Sequence, residues 1–319
     1  MRSFTITKND ADQRLDKFIS KSVPALPKSL MYKYIRLKRI KLNRKRAEIS
    51  TRLKEGDVVD MYIADEFFKE AEYKYDFLKA GKELDIVYED GNIIICNKKA
   101  GLLCHADKSE YNDNLINRIL RYLYDKKEYD PKSEHSFTPA LANRIDRGTN
   151  GLVLCAKNAD ALRILNQKIK TREIKKYYLC IVSGHMPKSE DTLTAYLAKD
   201  ESKNKVMIKS REFEGSKKIV TKYKVIKTNK SFSLLEIDLL TGRTHQIRAH
   251  LAYCAHPLLG DKKYGDRALN AKYNYNNQAL FSYKIKFDFT SDSGSLDYLG
   301  GKSFQADKSA FEKEFDKLH

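Results

Sequence analysis

What the chain lacks narrows it first. Nowhere does it hold a run of about 18 apolar residues, the length a helix needs to cross a bilayer. Its start, MRSFTITKNDADQRLDKF, has no apolar stretch of the kind a secretion signal requires. The five cysteines, Cys96, Cys104, Cys155, Cys180 and Cys254, contain no C-x-x-C pair, and an odd number so scattered makes no disulfide framework. A cytoplasmic protein with no membrane partner is the expectation. Also missing are the G-x-x-x-x-G-K-[ST] phosphate loop, G-x-G-x-x-G, H-E-x-x-H and the G-x-S-x-G elbow. Nucleotide-loop enzymes, dinucleotide binders, zinc proteases and serine hydrolases are thereby set aside. His245, His250 and His256 are five and six residues apart, so they do not stack on one helical face. The first acid after them is Asp261, and no metal site is expected.

What is present is charge. Of 319 residues, 33% are charged and 41% hydrophobic, and the net charge is +18. An average domain carries roughly 25% charged residues, so the chain reads as folded with a heavily charged exterior. Its length predicts two domains. The cationic excess seeks a polyanion, either nucleic acid or an anionic membrane surface.

Between Lys17 and Ala47 there is no Asp or Glu, whereas Lys33, Arg36, Lys38, Arg39, Lys41, Arg44, Lys45 and Arg46 all fall there. RLDKFISKSVP (14–24) places Leu15, Phe18 and Ile19 at helical spacing and ends at Pro24. SLMYKYIRLKRIKLN (29–43) does the same with Leu30, Tyr34, Ile35 and Leu37, and Ser29 is the expected N-cap. LKEGDVVDMYI follows as a turn at Gly56 running into a strand. Two short helices, a basic turn and a closing strand resemble the S4-type RNA-binding domain, carried by RLDKFIS, RIKLN and KEGDVV. The cations of residues 33–46 are then expected on RNA phosphates, which give affinity with little sequence information.

Residues 66–83 mix charge and aromatics without period and read as a linker. From residue 84 onward short strands alternate with helices. LDIVYEDGNIIICNK reads as strand, turn and strand; LVLCAK, YYLCIVSG, KIVTKYKVI and FSLLEIDLL read as strands; 115–123 and 159–169 read as helices. An α+β fold is expected, with domains at 1–65 and 84–319. The tail, GKSFQADKSAFEKEFDKLH, is expected to be a surface helix of no decisive meaning.

NRIDRGTNG (143–151) poses the chemical question, because it sets one acid, Asp146, between Arg144 and Arg147 just before a glycine-punctuated turn. A carboxylate beside arginine keeps its ionised form at low cost, which suits a nucleophile or charge stabiliser better than a proton donor. On local sequence alone, an acid flanked by arginines is more often a structural ion pair.

Three stretches together resemble the RluA-type RNA pseudouridine synthases. NRIDRGTNGL is similar to that family's H-R-L-D-x-x-T-S-G-L. KKYYLCIVSG meets K-x-Y-x-A-x-V-x-G through Lys176, Tyr178, Val182 and Gly184. GRTHQIRAHL and HPLLGDKKYG meet G-R-T-H-Q-I-R-x-H-L and H-P-x-x-G-D-x-x-Y-G. NKKAGLLCH resembles the preceding K-P-x-G-x-x-x-H, with Lys99 in the place of proline. The resemblance implies a mixed, largely antiparallel sheet in the catalytic domain and a small α/β S4-type domain before it. It implies conversion of uridine to pseudouridine in RNA, most of all large-subunit ribosomal RNA, by a monomer that needs no cofactor or metal. Asp146 falls on the catalytic aspartate, and Arg248 on the arginine that pairs with it. Tyr178 falls on the tyrosine that packs against the target base, and Arg144 on the arginine that helps displace the nucleotide. Thr149 and Gly151 are expected to shape the loop. Asn143 and Asn150 depart from the family's histidine and serine. They leave a rival reading open: a catalytically silent RNA-binding or ribosome-assembly factor on the same fold. A membrane-surface binder would explain the charge but not the ordered motifs.

Overall fold

A computed structural model describes residues 1–68, 75–200 and 205–318. The N-terminal part is built on β1 (Arg2–Thr5), α1 (Leu15–Ser22), α2 (Lys28–Arg36), β2 (Ile40–Leu42) and β3 (Val58–Met61), with the strands ordered β1-β3-β2. Leu15, Phe18 and Ile19 from α1 and Met31 and Ile35 from α2 are buried on Val59, Met61 and Ile40 of the sheet. Their helical spacing meets the alternation of the strands, and that match closes the small core.

The second helix differs from the expectation. It begins at Lys28 with Pro27 at the N-cap and no side-chain cap, so Ser29 does not cap it. It also stops at Arg36 instead of reaching Asn43. Lys38 takes a left-handed conformation (φ 60°) and lets Arg39 N donate to Tyr34 O, which turns the chain. Ile40 to Leu42 then pair antiparallel with β3, and Leu37 is left exposed. Strand pairing took the residues that a helical pattern had claimed.

Of the expected linker 66–83, residues 69–74 lie outside the described residues. Two short 3-10 turns flank them, and Phe77 in the second is buried near α3 (Leu115–Asp125). Beyond, the strands are β4 (Ile86–Glu89), β5 (Ile93–Lys98), β6 (Ala140–Leu141), β7 (Asn150–Ala156), β8 (Ile174–Ser183), β9 (Glu190–Asp200), β10 (Lys205–Lys209), β11 (Lys217–Thr228), β12 (Phe232–Asp238), β13 (Leu280–Phe287) and β14 (Ser303–Gln305). Their order is β10-β9-β11-β12-β8-β13-β7-β5-β4, with β14 on β13 and β6 on β7. Among the named strands of the described residues, only β13 and β7 run parallel. The helices α4 (Ala159–Lys170), α5 (Gln246–Tyr253), α6 (Arg267–Lys272) and α7 (Ser309–Asp316) complete this α+β unit.

Alternation along the strands sets what each sheet face covers. Ile93, Ile95, Leu152, Leu154, Leu179, Ile181, Phe281 and Tyr283 share one core with α4 and α7. Their neighbours pack elsewhere, Ile94, Cys96, Val153 and Cys155 with α3, and Tyr178, Cys180, Leu235 and Ile237 with α5. The tail is part of this core, not a surface helix, because Phe311 and Phe315 of α7 are buried in it and Phe311 meets Phe281. Asn114 and Asn158 cap α3 and α4 by accepting from the N–H of Asn117 and Ala161. The two parts touch. Ser136 Oγ donates to buried Asp10 at 2.5 Å, Asn9 donates to Glu134 at 2.8 Å, and Arg163 pairs with Asp12 at 2.8 Å.

Candidate active site

Asp146 lies on the loop between β6 and β7, and that loop is tied at both ends. The Arg147 carbonyl accepts from Gly101 N at 2.8 Å and from Lys98 Nζ at 3.1 Å, and Arg147 Nε returns a bond to Gly101 O at 3.0 Å. Asn150 Oδ1 accepts from Ala100 N at 2.5 Å, Asn143 Oδ1 from Leu154 N at 2.7 Å, and Thr149 Oγ1 from Gln278 Nε2 at 3.1 Å. Gly151 has φ +116°, and a Cβ there would stand 2.2 Å from Ser282 O in the parallel pairing of β7 with β13. Only glycine fits. Both asparagines that depart from the family pattern thus hold the loop by backbone bonds.

Lys98 was not singled out by the sequence. It is buried, donates also to the carbonyls of Lys99 and Leu102, and burial lowers its pKa to about 8. A lysine closing the apolar run Ile93–Cys96 just before a glycine turn was the available signal.

Arg248 arrives from α5. Its Nη1 donates to Asp146 Oδ2 at 2.6 Å, while Nε and Nη2 donate to Asp261 at 2.7 and 2.9 Å. Arg248 is 6% exposed and Asp261 0%, whereas the Asp146 side chain is 28% exposed. Burial opposes charge on Arg248, but the hydrogen bonds and charges of Asp261 and Asp146 outweigh it and raise its pKa. Asp261 is lowered in turn: burial opposes, and Arg248 together with the N–H groups of Lys263 and Tyr264 prevails. One cation therefore serves two carboxylates, one sealed in the core and one open at the surface.

Tyr178 on β8 is 5% exposed and packs in the cluster that Ile145, next to the acid, also joins. Burial pushes its hydroxyl up to about 12, with a contribution from the charge of Asp146. Tyr264 lies under Arg248, its ring 5.5 Å from the guanidinium carbon. Its hydroxyl meets His245 Nδ1 and Val206 N, each at 2.9 Å. His250 Nδ1 pairs with Thr221 Oγ1 at 3.0 Å and His256 Nδ1 with Ser183 O at 3.0 Å. Among the described residues no group of three or more His, Cys, Asp or Glu could hold a metal ion, and no helix is long and apolar enough to cross a membrane.

Arg144 is exposed, and its charge acts on His105 and Cys104 beside it. The structure thus brings Asp146, Arg248, Tyr178 and Arg144 into one region, with Thr149 in the loop itself and Gly151 at the start of β7. Lys33, Arg36, Lys38, Arg39, Arg44, Lys45 and Arg46 are exposed on the N-terminal part. Lys41 there is half-buried, 5.3 Å over the Tyr62 ring. A separate cleft of about 470 Å³, lined by Lys98, Asn150, Phe281 and Phe311, contains none of Asp146, Tyr178 and Arg248.

Residues 92–253 match the RNA pseudouridylate synthase family, and residues 13–59 match the S4 domain. An uncharacterized RNA pseudouridine synthase of Mycoplasma genitalium is 35% identical over 89% of this chain and 88% of its own length. Ribosomal large subunit pseudouridine synthase C of Vibrio cholerae is 32% identical over 83% of this chain and 81% of its own. Ribosomal large subunit pseudouridine synthase D of Borreliella burgdorferi is 28% identical over 98% and 90%. Among solved structures, human RNA pseudouridylate synthase domain containing 4 shares the fold with a TM-score of 0.58, at 22% identity over 73% of this chain and 92% of that one.

Proposed function

The chain belongs to the RNA pseudouridylate synthase family, and from that premise we propose that it isomerises specific uridines of large-subunit ribosomal RNA to pseudouridine, with Asp146 as the catalytic aspartate. The observation that carries this reading is the 2.6 Å pair of Asp146 and Arg248, in which the cation is buried and the carboxylate is open. A buried, doubly paired guanidinium holds the carboxylate aimed before substrate arrives.

The reaction breaks the N-glycosidic bond, turns the uracil in place and joins C5 to the ribose. No atom enters or leaves apart from exchange of a proton. A stacked base cannot reach Asp146, so the nucleotide is flipped out at a cost of about a few kcal/mol. Arg144, exposed at the rim, fills the vacated place, and Tyr178 receives the base against its ring edge. Thr149 and Gly151 keep the acid in position through Gln278 and Ser282. The cations Lys33, Arg36, Lys38, Arg39, Lys41, Arg44, Lys45 and Arg46 hold the RNA backbone, and residues 1–65 act as the anchoring module. The names of the relatives from Vibrio cholerae and Borreliella burgdorferi support the ribosomal choice of substrate.

The test is release of tritium from [5-³H]uridine-labelled RNA, because only an enzyme frees the C5 hydrogen. RNA from cells lacking the protein should release tritium with the native chain and none with Asp146→Asn. Carbodiimide mapping of the same RNA then gives the position. Release by the variant at the native rate would overturn the role of Asp146. No release by the native protein would favour the silent RNA-binding reading.

A further inference from the structure

His245 and Tyr264 form a pair that the reading above leaves without a task. His245 precedes α5 in a left-handed conformation (φ 53°). Non-glycine residues pay for that backbone, and such strain gathers at functional sites. The ring is half-buried and sits edge-on to Tyr264, with centroids 5.7 Å apart.

Proton accounting fixes the tautomer. Tyr264 keeps its proton, because burial raises its pKa. Its oxygen already accepts from Val206 N, and the one acceptor in reach of its own O–H is His245 Nδ1. Nδ1 therefore accepts, and the neutral ring carries its hydrogen on Nε2. Nε2 has no partner among the described residues. The groups whose charge acts on the ring are Asp146, Arg248, Lys263 and Asp261, and of the two carboxylates Asp146 acts more strongly. Tyr264, which bonds His245, lies 5.5 Å under the guanidinium that pairs with Asp146 at 2.6 Å, so a donor with nothing to bind belongs to the same site.

We propose that His245 donates its Nε2–H to a carbonyl oxygen of the uracil while the base lies in the pocket, with Tyr264 holding the imidazole in the required tautomer. The inference rests on the synthase reading. Cleaving the glycosidic bond leaves negative charge on the detached base, and its carbonyl oxygens bear most of it. A fixed donor there stabilises that charge and keeps the turning base within reach of the ribose. The imidazole serves only when neutral, because an imidazolium would compete with Arg248 for Asp146. Burial, opposed by Asp146 and aided by Arg248 and Lys263, keeps its pKa below the ordinary value.

Three full-length variants test this in single-turnover tritium release, with RNA affinity and unfolding midpoint measured alongside. His245→Gly suits the left-handed backbone and has no donor, and it should slow release by about 100-fold while affinity stays within about threefold. His245→Asn also tolerates the backbone and retains an N–H, and it should recover about tenfold of that loss. Tyr264→Phe removes the bond that favours the neutral ring, so the acid limb of the pH–rate profile should move to higher pH. A merely structural role would lower midpoint and rate together and leave that limb in place. Release by His245→Gly within threefold of native, or an unmoved acid limb in Tyr264→Phe, overturns the proposal. If His245→Gly does not fold, the Asn variant and the Tyr264→Phe profile decide it. Absence of release from the native protein would sink the synthase reading instead, and the two failures are thereby told apart.

Discussion

Substituting each carboxylate of Arg248 in turn separates support from chemistry. Asp261 is fully buried and takes two of the guanidinium's three bonds, at 2.7 and 2.9 Å, and it also accepts the N–H groups of Lys263 and Tyr264 at 2.8 and 3.1 Å. Asp261→Asn leaves a buried cation short of its main counter-charge and turns an amide NH₂ against it. Removing one member of a buried pair costs about 3–5 kcal/mol. At roughly 2–4 °C per kcal/mol, the unfolding midpoint should fall by about 10 °C. Asp146 takes a single bond and is partly open to water. Asp146→Asn loses that bond, at most about 1.5–3 kcal/mol, and relieves the repulsion of two carboxylates sharing one cation. Its midpoint should move by about a few degrees or less. Calorimetry and single-turnover tritium release read the two effects separately. Asp146→Asn should be stable and inactive. Asp261→Asn should be unstable, with reduced but measurable release below its midpoint. Equal losses of stability in the two variants would refute the division of labour argued from the burial.

Gly151→Ala would drive a methyl into Ser282 O, so the variant should be destabilised by more than about 3 kcal/mol and lose soluble yield, as denaturant unfolding would register. His250 is buried and neutral, its pKa lowered by burial from 6.5 to about 4. The unfolded chain binds that proton first. Stability should therefore be full above about pH 6.5, fall as pH drops, and level off below about pH 4, for a total near 3 kcal/mol. Urea unfolding across that range would show the slope, and His250→Asn should flatten it. Replacing Lys33, Arg36, Lys38 and Arg39 by glutamine should weaken RNA binding and lower the slope of log affinity against log salt by about one for each phosphate no longer neutralised. Filter binding at several salt concentrations measures that slope.

The sequence made the apolar strands legible because their side chains alternate between two covered faces, as in β5, β7, β8 and β12. It was silent on β9, whose residues Glu190–Asp200 are largely polar and partly exposed, and it left β13 unread after the last motif. Helix α5 shows no amphipathic period because six of its eight residues are buried. The break after Arg36 was hidden, because a lysine in a left-handed turn looks like any other lysine. Asp146, Tyr178 and Arg248 were nameable from ordered motifs. Lys98 and Asp261 also lie in quoted motifs, but their roles were hidden, since Lys98 finds its carbonyls across the sheet and Asp261 holds an arginine whose other partner lies a hundred residues upstream. Phe311 and Phe315 had helical spacing within a charged tail, yet nothing local said that Phe281 was waiting for them.

The tethering of residues 143–151 decides which molecule must deform. Ala100, Gly101, Gln278 and Ser282 hold that segment, and the protein has little left to rearrange when a transcript docks. Under the proposed flipping of the nucleotide, the reorganisation falls on the polynucleotide. A uridine in a bulge or beside a weak pair leaves its helix at lower cost than one inside a regular duplex. Selection among uridines of identical flanking letters becomes a matter of pliability, and two such sites in different secondary structures would be modified at different speeds.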